Sequence, residues 1–272
     1  MHTVKATLEE LMTSMDRSDA QVIMAHVLGV NRAWIAANPM RILTESEDAR
    51  IESLAAQRAL GRPVAYLLGS REFYGYDFAV GPEVLIPRPE TETLVEAALA
   101  RLAPRDTCLD LGTGSGAVAV TIARQRPEAR VVATDASAEA IALARRNAEA
   151  HGCASRIELL QGSWFEPVQG RRFDVIVANP PYVASGDPHL ARGDLRFEPR
   201  QALTDGSADG LASIRAIVAG APAHLKPRGW LLLEHGYDQA AAVRAILEAA
   251  GFSGLVSIPD LAGIPRVAGG KI

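Results

Sequence analysis

The sequence has 272 residues, enough for one large domain or for a small domain beside one of standard size. Hydrophobic residues make up 48% and charged residues 22% of the chain, a composition that favours a globular core and argues against intrinsic disorder. The formal net charge of -4 argues against a protein that grips long nucleic acid by its phosphates, since such proteins usually carry a basic surface.

The two cysteines predict neither a metal site nor a disulfide framework. Cys108 and Cys153 have no Cys or His nearby at the spacing of metal ligands, so we expect buried, reduced thiols and no bound metal. The N-terminus lacks the basic and then apolar pattern of a secretion signal, and no apolar run reaches the roughly 18 residues of a membrane span. We therefore expect a soluble cytoplasmic protein that contacts no membrane.

The N-terminal part of the chain carries only helical signals, with apolar residues such as Val22, Ile23 and Val27 at helical spacing. Three segments match a capping box, in which an N-cap hydroxyl and the N3 side chain satisfy free backbone donors. They are Thr7–Glu10, Ser18–Gln21 and Thr44–Glu47. We predict a small helical module.

The pattern changes after Gly61. Aromatic residues and glycines in Phe73–Ile86 predict a short β-hairpin. The prolines of Ile86–Glu92 stiffen the connection that follows, and Pro89 suits the first turn of a helix that runs to about Arg101. We place the linker between two domains in this region.

From Thr107 onward, predicted strands and helices alternate, which is typical of a parallel sheet covered by helices on both faces. The predicted strands are 107–111, 130–134, 156–160, 173–178, 229–234, 254–258 and 266–270. The predicted helices are 117–126, 137–151, 207–225 and 237–250.

A glycine-rich loop follows the first of these strands and opens a helix. It reads Gly112-Thr113-Gly114-Ser115-Gly116. Glycines let the backbone turn sharply and approach a ligand, and the helix that follows presents free N–H groups. The loop indicates a nucleotide cofactor, either S-adenosylmethionine or a dinucleotide, although a purely structural turn fits as well.

Two further residues indicate the same ligand edge. Asp135 ends the second strand, where a carboxylate can accept hydrogen bonds from both ribose hydroxyls; an N-cap beside Ser137 is the alternative. Trp164 follows the third strand, where its indole can cover the adenine or shield the cofactor, or can be an ordinary core aromatic.

The fourth strand ends in Asn179-Pro180-Pro181-Tyr182, the motif that decides between the cofactors. Two consecutive prolines remove two backbone donors, so the carbonyls of Asn179 and Pro180 need other partners. The Asn179 side-chain oxygen adds an acceptor, and Tyr182 offers a flat face.

This set of acceptors suits an –NH2 group on a planar substrate. Such a nitrogen is a poor nucleophile, because its lone pair is delocalised; hydrogen bonds from both of its N–H groups raise its electron density and fix its orientation. A methyl sulfonium is already a strong electrophile, so alignment matters more than a strong base. A dehydrogenase has no evident use for the motif, which argues strongly against the dinucleotide hypothesis.

Three functions compete at this point. The first is methylation of a side-chain amide. An amino-group DNA methyltransferase would use the same acceptors, but it must flip its base and we see no basic, aromatic-rich DNA-reading segment. A factor-binding module that has lost turnover is the third, and the intact glycine loop and pocket argue against it.

The chain resembles the bacterial peptide chain release factor N5-glutamine methyltransferases, the HemK-type family, over nearly its whole length. The resemblance rests on Ile86–Glu92, Asp110–Gly116, Asn179–Tyr182, Asp187–Leu190, Leu195–Pro199 and Glu234–Gly236. It implies methylation of the glutamine in the Gly-Gly-Gln loop of class I release factors with S-adenosylmethionine as cofactor, and it implies no direct contact with nucleic acid.

The resemblance also implies a fold and a site. The fold is α/β: a class I, Rossmann-like, seven-stranded methyltransferase domain preceded by a small all-helical domain and a β-hairpin linker. We assign 1–61 to a helical substrate-recognition domain, 62–92 to the hairpin and linker, and 93–272 to the methyltransferase domain. Cofactor contacts are implied for Gly112 to Gly116, Asp135, Trp164 and Asn179. Substrate contacts are implied for Asn179, Pro180, Pro181 and Tyr182, and the catalytic residues are Asn179, Pro180 and Tyr182.

Four other polar residues have two readings each. Glu90 and Glu92 are either charges that favour a helix N-terminus or residues near the ligands. Asp110 either faces the charged end of the cofactor or caps its strand. His235 follows the fifth strand and is more simply a structural histidine.

Overall fold

The computed structural model describes residues 2–272. By its internal contacts the chain divides into two units, one that ends at Ser70 and one formed by Arg71–Ile272. No helix within residues 2–272 is both long and apolar enough to cross a bilayer.

The first unit is helical. Its helices are α1 (Val4–Leu11), α2 (Arg17–Leu28), α3 (Arg32–Ala37), α4 (Glu45–Ala59) and α5 (Val64–Leu68). Buried Ile23 and Met24 of α2 and Ile51 of α4 form the centre of its core. This apolar burial holds together a unit whose helices are too short to be stable alone.

Only one of the three predicted capping boxes is present, the one between Thr44 and Glu47. Thr7 lies inside α1, because Thr3 is the N-cap and accepts from the Ala6 N–H. Ser18 lies inside α2 for the same reason: Asp16 caps that helix by accepting from the Asp19 N–H. In both cases a better-placed oxygen one turn or less upstream takes the cap.

The hairpin begins earlier than predicted. It pairs β1 (Ser70–Phe73) with β2 (Tyr76–Ala79), and residues 80–88 beyond it form no strand. The chain turns at Tyr74 and Gly75, both with positive φ (55° and 75°). The glycine tolerates this conformation, and the tyrosine is held by its N–H, which donates to Glu92, and by its hydroxyl, which donates to Glu96.

The second unit is built on a seven-stranded sheet. Its strands are β3 (Thr107–Leu111), β4 (Arg130–Asp135), β5 (Ile157–Gln161), β6 (Phe173–Ala178), β7 (Leu225–Glu234), β8 (Ser253–Pro259) and β9 (Pro265–Lys271). The strand order is β5-β4-β3-β6-β7-β9-β8, and β9 runs antiparallel to both of its neighbours. The α/β fold with a seven-stranded sheet is therefore confirmed.

Helices connect the strands and cover the sheet. They are α6 (Glu92–Leu99), α7 (Ala117–Gln125), α8 (Ala138–Ala150), α9 (Arg200–Leu203), α10 (Ala212–His224) and α11 (Ala240–Ala249). Alternate residues of β3 enter different cores, with Cys108 in one cluster and Leu109 in the other. The sheet is thus buried on both faces, which explains why its central strands are continuous apolar runs.

The register brings four strand ends to one edge. Leu111 at the end of β3 pairs with Thr134 on one side and Ala178 on the other. Ala178 in turn pairs with Leu233 of β7. Residues that follow β3, β4, β6 and β7 therefore meet at the carboxyl edge, where open α/β sheets bind ligands.

Candidate active site

A cleft of about 600 Å³ opens at this carboxyl edge, a volume typical of a cofactor site. Six of the predicted site residues line it: Gly112, Gly114, Asp135, Trp164, Asn179 and Pro181. The other predicted site residues, Thr113, Ser115, Gly116, Pro180 and Tyr182, do not line the cleft. The remaining lining comes from residues 83–85, 136–140 and 161–163 and from Pro199, Gln201 and Ala202.

The glycine loop has a backbone that other residues would not adopt readily. Gly112, Gly114 and Gly116 have φ of 72°, 55° and 80°. A Cβ on Gly116 would lie 3.0 Å from the Cβ of Ala144 in α8, so this glycine also allows helices to pack closely. The loop therefore keeps its peptide groups bare toward the cleft and ends at the first turn of α7.

Asp135 is held in place by the backbone on both sides of the cleft. Its Oδ2 accepts from the Gly114 N–H at 2.9 Å, and its Oδ1 accepts from the Ser137 N–H at 2.9 Å. The N-cap of α8 is Ser137, which accepts from the Ala140 N–H at 3.0 Å. Burial raises the pKa of Asp135, and these backbone hydrogen bonds oppose the rise. Each oxygen has acceptor capacity left for a diol.

Trp164 stands against the glycine loop. Its ring lies 3.3 Å from the position that a Cβ on Gly112 would take, so a side chain at 112 would crowd the indole. The tryptophan has a φ of 43°, and its carbonyl accepts from the Thr134 hydroxyl at 3.1 Å. Trp164 therefore forms part of the cleft wall in a conformation that is costly for a bulky residue.

Asp110 lies buried beneath the loop and does not line the cleft. Its Oδ2 accepts from the Thr113 hydroxyl at 2.7 Å, which ties the loop to β3. Burial raises its pKa to about 7; the Thr113 hydrogen bond lowers it and the nearby Asp135 charge raises it further. The pKa of Asp110 therefore depends on the charge of Asp135 in the cleft, although Asp110 does not line the cleft.

The segment Asn179–Tyr182 follows β6 directly and passes beside the cleft. The Asn179 Nδ2 donates to the Thr91 hydroxyl at 3.2 Å. Within residues 2–272, the carbonyls of Asn179 and Pro180 accept no hydrogen bond from a turn, a cap or a side chain. The acceptors that the double proline was predicted to leave unused are thus available.

Tyr182 is fixed from three directions. Its hydroxyl donates to the Glu234 Oε1 at 3.2 Å, and its carbonyl accepts from the Gln239 Nε2 at 2.9 Å. Gly210 packs on the same carbonyl so closely that a Cβ there would lie 2.1 Å from the oxygen. Burial and the Glu234 charge raise the pKa of Tyr182, which therefore stays neutral.

Sequence reasoning missed Thr91 and Glu234 as parts of this site. Glu234 ends β7, is 1% exposed, and burial raises its pKa to about 7, while the hydroxyls of Thr91 and Tyr182 lower it. The sequence does carry a signal, since Glu234 is an acidic residue at the end of an apolar strand. That strand is the neighbour of the one that Asn179 follows. Only the register shows that the two strand ends are neighbours.

Glu198 was also missed, and it joins two walls of the cleft. Its Oε2 accepts from the Ile86 N–H at 3.0 Å, and its Oε1 accepts from the Arg88 guanidinium. Its side chain is completely buried. These contacts join the segment after the hairpin to the loop before α9 and so fix the separation between the two sides of the cleft.

Glu90, Glu92 and His235 do not line the cleft. Glu92 accepts from the Tyr74 N–H at 2.9 Å and so holds the hairpin turn. Glu90 lines a separate groove along α6. The buried ring of His235 shares a hydrogen bond with the Gly236 carbonyl at 2.8 Å, and burial lowers its pKa. The structural interpretation of these residues is the simpler one.

Comparison with known proteins agrees with this architecture. The family description "PrmC N-terminal domain" matches residues 1–69, and "Methyltransferase small domain" matches residues 89–194. A protein of Burkholderia pseudomallei named release factor glutamine methyltransferase is 50% identical, covering 100% of this chain and 99% of its own. One of the same name from Bordetella pertussis is 51% identical, covering 95% of this chain and 96% of its own.

Solved structures share the fold at lower identity. A methyltransferase from Pyrococcus furiosus has a TM-score of 0.55 at 21% identity, covering 84% of this chain and 98% of its own. A 16S rRNA N2 G1207 methyltransferase from T. thermophilus, solved with AdoMet and guanosine, has a TM-score of 0.54 at 23% identity, covering 74% of this chain and 49% of its own. These likenesses confirm the class I, Rossmann-like methyltransferase fold.

Proposed function

The chain belongs to the release factor glutamine methyltransferase family, and on that premise we propose that it transfers a methyl group from S-adenosylmethionine to the side-chain amide nitrogen of a release factor glutamine. The observation that carries the proposal is the position of Asn179–Tyr182. Free carbonyl oxygens and an asparagine side chain stand at the wall of a cofactor-sized cleft.

The cleft fits the cofactor by the chemistry of its walls. Asp135 has acceptor capacity for the two ribose hydroxyls, and Gly112 and Gly114 leave the backbone bare for close approach. Trp164 supplies an aromatic face for the adenine or for the sulfonium. When bound, S-adenosylmethionine supplies an activated methyl group on a positively charged sulfur.

The residues after β6 hold the glutamine. The carbonyl of Pro180 and the side-chain oxygen of Asn179 accept hydrogen bonds from the amide NH2, which orients the nitrogen and raises its electron density. Because an amide nitrogen has little basicity, this orientation is the main contribution of the protein to the reaction. Pro181, which lines the cleft, and Tyr182, which follows it in the chain, provide the flat surface against which the planar amide rests.

The amide proton needs no strong base before the new bond forms. A nitrogen that carries the new methyl group and still has both hydrogens is cationic and far more acidic than the neutral amide, so one proton leaves readily to solvent and the neutral N-methyl amide remains. The neutral Tyr182 phenol, whose pKa is raised, serves as a flat surface and not as a base.

We propose that the partner is a class I release factor and that its glutamine lies in a Gly-Gly-Gln loop. A flexible loop with small residues before the glutamine can enter a narrow cleft without steric conflict. Release factors act in translation, so the proposed reaction takes place in the cytoplasm. The negative net charge of the chain agrees with a protein substrate better than with a nucleic acid.

The test is methyl transfer from labelled S-adenosylmethionine to a purified release factor, with peptide mass spectrometry to locate the methyl group. The matched control is the same factor with the loop glutamine changed to alanine. We expect label on the wild-type factor alone. Equal label on both factors would show that another residue is methylated, and label on duplex DNA instead would support an amino-group DNA methyltransferase.

A further inference from the structure

We propose that Thr91 and Glu234 form a hydrogen-bond relay that decides which end of the Asn179 side-chain amide faces the cleft. This proposal rests on the proposed function, since it concerns how the substrate amide is held. Thr91 and Glu234 are positioning residues in it: they act on the substrate only through Asn179 and Tyr182.

The first link is the contact between Asn179 and Thr91. An asparagine side chain has a donor end and an acceptor end, and only the acceptor end suits a substrate NH2 group. The Nδ2 of Asn179 donates to the Thr91 Oγ1 at 3.2 Å, which leaves the Oδ1 for the cleft. Thr91 is 5% exposed, and its hydroxyl has a single proton that must be donated elsewhere for this arrangement to persist.

The second link is the acceptor for that proton. Glu234 is buried at the end of β7, and its Oε1 already accepts from the Tyr182 hydroxyl at 3.2 Å. Its Oε2 is buried and has no partner of normal hydrogen-bond geometry within residues 2–272. The Thr91 hydroxyl lowers the pKa of Glu234, and the relay assigns its proton to the unpartnered Oε2. In this arrangement an ionised Glu234 accepts hydrogen bonds from the hydroxyls of both Tyr182 and Thr91.

Ionisation of Glu234 sets the polarity of the whole chain of hydrogen bonds. The carboxylate accepts from Thr91, Thr91 accepts from the Asn179 Nδ2, and the Asn179 Oδ1 faces the substrate. A protonated Glu234 can instead donate to the Thr91 oxygen. The Thr91 proton is then free for the Asn179 Oδ1, and the flipped amide would present a donor to the substrate NH2.

Several charged or titratable groups face Glu234. On other elements they are Tyr182, Arg266 of β9 and Glu90 of the turn before α6; His235 follows Glu234 on its own chain segment. Burial raises the pKa of Glu234 to about 7; Thr91, Tyr182 and Arg266 lower it, and Glu90 raises it. The direction of the hydrogen bonds therefore reverses near neutral pH. Above that pH Glu234 is ionised and the Asn179 Oδ1 faces the substrate.

The kinetic test compares pH profiles of kcat. Wild-type kcat is expected to fall as the pH drops through about 7. Thr91→Val, which keeps the shape and removes the hydroxyl, is expected to lower kcat about tenfold or more, with KM little changed, and to abolish the acid limb. Thr91→Ser should recover most of the lost rate together with the acid limb. Glu234→Gln should be slow at every pH.

A buried threonine outside the site provides the matched control. Thr121 in α7 is fully buried and its hydroxyl has no partner within residues 2–272, so Thr121→Val should leave the profile unchanged. If Thr91→Val keeps the wild-type acid limb and a kcat within about twofold of wild type, the relay does not exist.

A second measurement needs no substrate. The chain has four asparagines, Asn31, Asn38, Asn147 and Asn179, so selective ¹⁵N-asparagine labelling resolves their side-chain amides by NMR. The Asn179 amide signals, assigned with Asn179→Ala, should titrate near pH 7 in the wild type and not in Thr91→Val. Buried Asn147, which donates to the Ala79 and Ser115 carbonyls, should not titrate.

The two measurements separate the two proposals. A titrating Asn179 amide in a protein that methylates no release factor would overturn the proposed function and leave the relay intact. Glutamine methylation by a protein whose Asn179 amide shows no titration would overturn the relay and leave the function intact.

Discussion

Asp110 offers a prediction whose size follows from its environment. Burial raises its pKa to about 7 from an ordinary value of 3.8. The folded protein has the higher Asp110 pKa, so it holds the proton more tightly than the unfolded chain. The contribution of Asp110 to stability is therefore complete below the unfolded pKa and is lost as the pH rises through the folded pKa. At about 1.36 kcal/mol per pH unit the whole loss is roughly 4 kcal/mol, of which about 2.5 kcal/mol falls between pH 5 and pH 8.

The perturbation is Asp110→Asn, which keeps the shape and cannot ionise. The asparagine side chain has one acceptor oxygen fewer, which costs the variant about 1 kcal/mol of stability at every pH. The informative quantity is therefore the pH dependence of the free energy of unfolding. We expect the free energy of unfolding of the variant, relative to wild type, to rise by about 2.5 kcal/mol from pH 5 to pH 8. Urea unfolding followed by tryptophan fluorescence measures it, since Trp164 and Trp230 lie in the same unit.

Asp174→Asn is the control. Asp174 is on the neighbouring strand β6 and forms an ion pair with Lys226 at 2.7 Å. Its pKa is lowered, by hydrogen bonds from Lys226 and Thr107 that outweigh burial, so it is ionised in both the folded and unfolded states above pH 5. Its variant should lose the same stability at both pH values. Parallel curves for wild type and Asp110→Asn would refute the argument that buried charge is the cause.

Three further predictions concern the cleft. Asn179→Ala should lower kcat about a hundredfold or more and weaken cofactor binding only modestly, as measured by labelled methyl transfer and calorimetry; wild-type turnover would contradict its role. Asp135→Ala should raise the Kd for S-adenosylhomocysteine at least about tenfold by calorimetry, because the ribose loses its acceptors; an unchanged Kd would contradict ribose recognition. Glu198→Ala should destabilise the protein by about 3 kcal/mol in urea unfolding, because the Arg88 guanidinium loses its buried partner. Glu198→Gln should lose less, and equal losses in the two variants would show that charge is unimportant there.

Local structure was predictable where chain chemistry decides it alone. Strands β3 and β6 have the predicted bounds, because each is an apolar run that a glycine or proline ends abruptly. The helix predicted at 207–225 begins five residues later, at Ala212. Asp205 explains the delay: it accepts from the N–H groups of Ser207 and Ser213 and holds the intervening residues in a loop.

The environment of the site was not predictable in the same way. Thr91 is separated from Asn179 by 88 residues, and Glu198 from Ile86 by 112. Such contacts depend on sheet order and register, which no local pattern encodes. A motif can therefore show which atoms meet the substrate, whereas the side chains that orient those atoms become visible only in the fold.

Three carboxylates near the carboxyl edge share one property: the buried Asp110 and Glu234 and the half-buried Asp135. Burial raises the pKa of each, and their hydrogen bonds come from hydroxyls or backbone N–H groups and not from Lys or Arg among residues 2–272. A fold selected for stability alone would neutralise such charges or replace them. Their retention is understandable at an edge that receives a sulfonium cation and donor-rich groups, because those ligands favour the ionised forms. The cost of ionising these carboxyls in the free protein is thus offset when the ligands bind. As the pH rises through about 7, we therefore expect the stability of the free protein to fall and kcat to rise.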